Sequence, residues 1–263
     1  MDIFLLIGIV VGLCAVSAGL LMKGASVAIL FSPEAIMVIL VGTFAAVMNS
    51  FPKKEFFNIP KILGVLFKDK EKESSDEIIK YIIELSQETR KNGLLSLESK
   101  ISGLDNKFMK VALEMAVDGV EPEYIRQVLM DEIEGMEERH RIGASIFTTA
   151  GGVSPTLGVL GAVIGLIGAL GNLNDTEKLG ESIAAAFVAT LYGIFFGYVI
   201  WHPFASRLKR KSYKEVHNMY IIMEGVLALQ EGKNPKTIEK KLLSMTMPKD
   251  RKKYEETNNI NLK

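Results

Sequence analysis

Ile146–Leu173, IFTTAGGVSPTLGVLGAVIGLIGALGNL, runs for 28 residues without an acid, a base or a histidine. An α-helix needs about 20 apolar residues to cross the roughly 30 Å hydrocarbon layer of a bilayer, so this stretch predicts a membrane span. Three others qualify: Ile3–Met22, Ala35–Phe51 and Ser182–Trp201. No Asp, Glu, Lys or Arg interrupts their apolar cores. The fold class is therefore an all-α integral membrane protein with four transmembrane helices, and the 48% apolar and 24% charged residues are segregated between two solvents.

The charges set the topology. Fifteen Lys and Arg lie in Lys53–Arg141 and 14 in Arg207–Lys263, leaving only Lys23 and Lys178 for the two short connections. Basic residues favour the cytoplasm, so both long regions and both termini are expected inside. The division is 1–52 (spans one and two), 53–145 (a cytoplasmic helical domain), 146–206 (spans three and four) and 207–263 (C-terminal helices and tail). The first span has no basic region before it and reads as retained rather than as a signal peptide. Ser32-Pro33 marks a turn before span two, and Asn174-Asp175 with Gly180 falls in the connection Asn172–Glu181.

Within 53–145, Ser74-Ser75-Asp76-Glu77 is a capping-box start for the apolar repeat Ile78, Ile79, Ile82, Ile83 and Leu85, and Gly93 is its stop. Further helices are expected at Asp105–Val117 and Pro122–Arg141. After span four the helix should continue to about Gly232, followed by a shorter one at Pro235–Met245 and a loose polar tail, Pro248–Lys263.

Spans three and four carry stripes of small residues. Gly151, Ser154, Gly158, Gly161, Gly165, Gly168 and Asn172 line one face of the third; Ala185, Ala189, Gly193 and Gly197 recur at every fourth residue of the fourth. In lipid, helices associate where small residues let backbones approach. Packing within one subunit and against a second subunit both satisfy the pattern. Span one has a weaker version in Gly8 and Gly12. Pro155 removes a backbone hydrogen bond inside span three and predicts a bend, while Pro203 marks the inner end of span four beside the interfacial Trp201.

Apart from Asn49 and Asn172 near their ends, the polar groups inside the spans reduce to hydroxyls, among them Thr43, Ser154, Thr190 and Tyr192. Transporters and proton relays ordinarily place an intramembrane acid, His or Arg at the working point. If the protein conducts ions, the titrating group must come from another chain. His140, His202 and His217 have no metal-ligand spacing, Cys14 is the only cysteine, and no nucleophile elbow or phosphate-binding loop is present, so neither an enzyme nor a cofactor is expected. Zero net charge gives no field for nucleic acid.

The run from Pro155 to Leu166, PTLGVLGAVIGL, resembles the third-span signature of the MotA family of flagellar stator proteins. The resemblance extends to Ala189-Thr190-Leu191-Tyr192-Gly193, Trp201-His202-Pro203-Phe204-Ala205, the run Arg90–Glu98 and Gly232-Lys233-Asn234-Pro235, and so covers nearly the whole chain. Its broader relatives ExbB and TolQ have three spans. The resemblance implies a pentamer in the bacterial inner membrane, in contact with lipid, around two copies of the single-span partner MotB, whose membrane Asp carries the ion. It implies that Arg90 and Glu98, with Glu132 as a further acid, face the rotor protein FliG. Pro155 and Pro203 match the coupling prolines, and Thr190 matches the hydroxyl opposite the partner Asp. Sodium-driven relatives carry two more threonines where this chain has Ala162 and Ala189, so protons are the expected ion. A stator of the same family driven by sodium or serving another surface motility is the rival reading, with a secondary transporter or a scaffold as remoter ones.

Overall fold

Helices and helical turns make up every regular element in the computed structural model, which describes residues 3–24, 26–68, 74–248, 251–252 and 254. The chain divides into two units, one comprising Met1–Asp69 with Arg139–Arg210 and the other Lys70–Glu138 with Lys211–Lys263.

The first unit holds four helices long and apolar enough to cross a membrane. Ile3–Met22 is one uninterrupted helix that buries only Leu5, so its apolar surface is left to lipid or to other chains. The second span is assembled from pieces. Ser26 caps the short 3-10 turn Val27–Leu30, and Ser32 then caps Pro33–Ile36, accepting the Ala35 N–H with proline at the first helical position. A wide π turn, Met37–Val41, leads into Gly42–Ser50.

The third span belongs to a helix of 50 residues, Pro122–Gly171. Sequence alone predicts a helix ending at Arg141 and a span beginning at Ile146. No proline separates them, and Gly143 between them stays in helical conformation against the Ile62 side chain, so the helix continues. It also runs past Pro155 to Gly171: one proline costs one backbone bond, and the turns on either side hold. The fourth span begins earlier than expected, at Thr176, because the Asp175 carboxylate accepts the Lys178 N–H at 3.2 Å. Gly180, expected in the loop, is thus helical. Beyond Trp201 the helix continues through Pro203, as the sequence predicts. A π turn, Phe196–Trp201, precedes it, with the His202 N–H reaching the Gly197 carbonyl five residues back, and the helix continues as His202–Gln230. The wider turn accommodates a residue with no N–H to give.

Where the spans end, the chain turns along Lys53–Phe56 and Ile59–Phe67. Ile59, Ile62, Leu63, Leu66 and Phe67 pack with Phe147, Trp201, Phe204 and Leu208, and Leu66 is fully enclosed. Trp201 sits in this aromatic nest, tilted against Phe147 and edge-on to Phe204.

The second unit is built on water's terms. Ser74 and Glu77 form the expected capping box, and Gly93 closes Ser75–Asn92 at φ +80°. A 3-10 turn, Leu94–Leu97, follows, then Glu98–Ile101. Lys107–Val117 starts two residues later than expected because the Asn106 side chain accepts the Met109 N–H at 3.1 Å. Gly232 at φ +69° and the Asn234 cap set up Pro235–Met245, within the bounds read from sequence. The core gathers Ile79 and Ile82, then Ile125, Leu129 and Ile133 four apart, Ile221 and Ile222, and Leu242. Each such side chain contributes about 1.5–3 kcal/mol by leaving water. Much of the tail expected to be loose lies outside the described residues, but Tyr254 is buried in this core and donates to Glu239 at 3.1 Å. Burial pushes its phenol up from the ordinary value.

Arg126 and Lys241 both donate to the Glu224 carboxylate, joining three helices of this unit. Burial pushes the Glu224 carboxyl up, and the two hydrogen bonds outweigh it, holding the group below its ordinary 4.5. A carboxylate whose folded value is depressed stabilises fully above its unfolded value and loses that contribution as pH falls through the folded one. Glu224→Gln is expected to lower the thermal unfolding temperature of this unit at neutral pH. The gap from wild type should close well below pH 4.5, where both side chains are neutral, as followed by circular dichroism.

Candidate functional site: the contact between spans three and four

The small-residue stripes meet each other within one chain. A methyl group added at Gly193 would lie 2.6 Å from the Ser154 carbonyl oxygen and 2.8 Å from the Gly158 Cα. At Gly158 it would meet the Ala189 carbonyl oxygen at 3.1 Å and the Thr190 Cα at 3.3 Å. Gly161 lies against the Ala189 methyl, and Gly165 against Ala186. The intrasubunit alternative left open by the sequence therefore accounts for this stripe. The fourth-span register shifts by one residue toward its N-terminal end: Ala186 is buried against Gly165, whereas Ala185, expected on the stripe, is half-exposed.

Pro155 contributes directly to this contact. Lacking an N–H, it leaves the Gly151 carbonyl without its usual helical donor. Gly197 closes over that place. A Cβ there would sit 2.9 Å from the Gly151 oxygen and 2.9 Å from the Pro155 ring. Gly197 also belongs to the π turn, so the proline of one span and the widened turn of the other are neighbours. One residue before Pro155, the fully buried Ser154 hydroxyl donates to the Ala150 carbonyl at 2.8 Å and lies 3.0 Å from the Thr43 hydroxyl of span two. The Tyr192 hydroxyl donates to the Leu30 carbonyl, fastening span four to the turn before span two.

Thr190 is half-buried beside this seam. Its hydroxyl donates back to the Ala186 carbonyl at 3.3 Å, with the Gly158 carbonyl of span three at 3.5 Å. Ala189 is buried under Gly161, and Ala162 is half-exposed. Pro155, Ala189 and Thr190 are thus brought into one contact. Pro203 lies 13 residues beyond Thr190 on the same helix, about 20 Å at 1.5 Å per residue.

Arg90, Glu98 and Glu132 belong to the other unit, and all three are exposed. Arg90 occupies the last turn of Ser75–Asn92 and Glu98 the first turn after the 3-10 corner, whose Leu97 is fully buried and pins the bend. Two features of this corner carry no sequence signal. Leu95 projects with 68% exposure between the two charges. Glu88 accepts from Asn92 at 2.6 Å and Lys100 at 3.4 Å, which together hold its carboxyl below the ordinary range.

This geometry defines a helical membrane protein whose two closely joined spans enclose hydroxyls but no acid or base. The profile described as the MotA/TolQ/ExbB proton channel family matches residues 100–221, and that described as Motility protein A N-terminal matches residues 6–93. Motility protein A of Bacillus subtilis (strain 168) is 50% identical over 256 residues, 97% of this chain and 95% of that protein. Chemotaxis protein PomA of Vibrio alginolyticus is 33% identical over 239 residues, 91% of this chain and 93% of that one. A chain of the flagellar MotAB stator complex from Bacillus subtilis superimposes with a TM-score of 0.89 at 50% identity, over 95% of this chain and 98% of its own. A chain of C. jejuni MotAB gives the same TM-score at 31% identity, over 94% and 97%. The chain belongs to the MotA/TolQ/ExbB proton channel family.

Replacing Gly193 with Ala forces two backbones apart, and overpacking of this kind costs about 1–3 kcal/mol. At Gly152, where an added methyl meets nothing within 4 Å, the same change is expected to be neutral or slightly favourable through helix propensity. Thermal unfolding of the two purified variants, compared with wild type, checks the difference.

Proposed function

We propose that this chain is the membrane subunit of a flagellar stator, which with a MotB partner couples ion flow across the inner membrane to torque on the rotor. The likeness to a chain of the flagellar MotAB stator complex, at 50% identity over 95% of this chain, carries the reading. The spans fit it. They supply closely packed helices and hydroxyls, and they leave the ion-carrying acid to another chain.

In this scheme several copies, five in the ring we favour, surround two MotB helices. Both termini and the regions 53–145 and 207–263 face the cytoplasm. The MotB Asp sits opposite Thr190, and protonation removes the cost of holding a carboxylate in a dry site. Spans three and four then shift about the seam at Pro155 and Gly197, Pro203 passes the change inward, and the ring advances. Arg90, Glu98 and Glu132 engage FliG of the rotor, with Leu95 as an apolar contact between the first two. One charge moved through 100 mV releases about 2.3 kcal/mol, so each revolution takes many ions. Protons are favoured because Ala162 and Ala189 offer methyl groups. Na+ requires several oxygen ligands to replace its water, whereas a carboxyl carries a proton covalently.

Cells expressing Pro155→Ala or Thr190→Val are expected to insert and assemble the protein yet lose most swimming torque, measured with tethered cells or beads. Normal torque would reject the coupling scheme. Reversal of Arg90 or Glu98 should impair rotation, with partial recovery from a compensating reversal in the rotor protein. Rotation speed is expected to follow the proton-motive force and to ignore the sodium gradient; the opposite dependence would overturn the ion assignment.

A further inference from the structure

The two ends of the membrane unit differ in charge. Segments 51–68, 139–145 and 201–210 hold nine Lys and Arg against one acid, Glu55, whereas 23–34 and 172–181 hold two against four acids. Within the basic end, residues 53–68 have two distinct sides. The inward side, Ile59, Ile62, Leu63 and Leu66, is fixed to the aromatic nest at the ends of the spans. The outward side mixes Lys53, Lys54 and Lys61 with Phe57, 66% exposed, and Val65, 54% exposed. These three lysines form no ion pair among the described residues, and the Lys53 ammonium lies 6.0 Å from the centre of the Phe57 ring.

Lysines interleaved with exposed large apolar side chains, at the depth where the apolar spans stop, suit the boundary between headgroups and acyl chains. There the apolar groups enter the hydrocarbon edge while long lysine stems carry their charge out to phosphate. A zwitterionic headgroup cancels much of its own field; an anionic one does not.

We propose that residues 53–68 form a docking surface for anionic phospholipid, with Lys53, Lys54 and Lys61 holding headgroup phosphates and Phe57 and Val65 set into the acyl edge. That these phosphates belong to the inner leaflet rests on the inward orientation of this end. The lysines make the preference for anionic lipid; the apolar pair makes it a lipid rather than a soluble phosphate.

The test uses the assembly purified with its single-span partner in mild detergent. Dioleoylphosphatidylglycerol, dioleoylphosphatidylcholine or inorganic phosphate is added, and retained lipid is read by native mass spectrometry and stability by thermal unfolding. Wild type should retain several-fold more phosphatidylglycerol than phosphatidylcholine and unfold at a higher temperature with it. Inorganic phosphate should have no effect. The triple variant Lys53→Gln, Lys54→Gln, Lys61→Gln should lose this preference, and the corresponding triple Arg variant should keep it. Equal retention of the two lipids, an equal rise with inorganic phosphate, or undiminished preference in the Gln variant would overturn the proposal. So would loss of the assembly's mass in the Gln variant alone, which would assign this face to a neighbouring subunit. None of these readouts depends on rotation, so failure here is distinct from failure of the stator reading.

Discussion

Two helix backbones meet in this protein with almost nothing between them. Water drives apolar side chains together, but a bilayer gives no such push, and helices in lipid are held by the dispersion contacts their surfaces allow. At Gly158 and Gly193 that contact is as close as a polypeptide permits, since a single methyl group would collide with backbone on the other side. Other features follow from the approach. It lets Gly197 cover the carbonyl that Pro155 releases, so a proline is tolerated where it would otherwise leave a polar group facing lipid. It also carries Thr190 to within reach of the Gly158 carbonyl.

The second unit follows the opposite logic with the same helices. Its apolar residues are interior, its helix ends are closed by Ser74, Asn106 and Asn234, and the half-buried Glu224 carboxylate is satisfied by two cations. Gly225 shows how tightly this core is filled, since a methyl there would lie 2.6 Å from the Ile82 side chain. In one unit glycine serves backbone contact, and in the other it makes room for a large neighbour.

Much of this architecture is legible in the amino-acid sequence. The spans can be read because lipid demands an unbroken apolar length, and the capped helices because Ser, Asn, Gly and Pro act on their immediate neighbours. Features set by distant partners are not legible in this way. Ala186 rather than Ala185 faces Gly165 because the neighbouring span covers that side of the helix, and spacing alone does not reveal which side a partner covers. The polar run at Arg139–Arg141 has the composition of a boundary, yet a helix ends for want of backbone bonds and not for a change of solvent. The sequence predicts that the helix runs on past Pro203, but the wider turn that lets it pass is not legible there. Arg90, Glu98 and Glu132 are exposed charges on helices with no local mark of purpose, and only the family resemblance singles them out.

The Thr190 hydroxyl has one proton, and two backbone carbonyls, those of Ala186 and Gly158, stand within reach to accept it. What remains for a visitor is lone pairs. Such a group can welcome a carboxylic acid, which has a hydrogen to give, and has nothing to offer an ionised carboxylate. In the proposed stator, a threonine tied down in this way would act as a one-sided latch plate, recognising an acid only after it has been loaded.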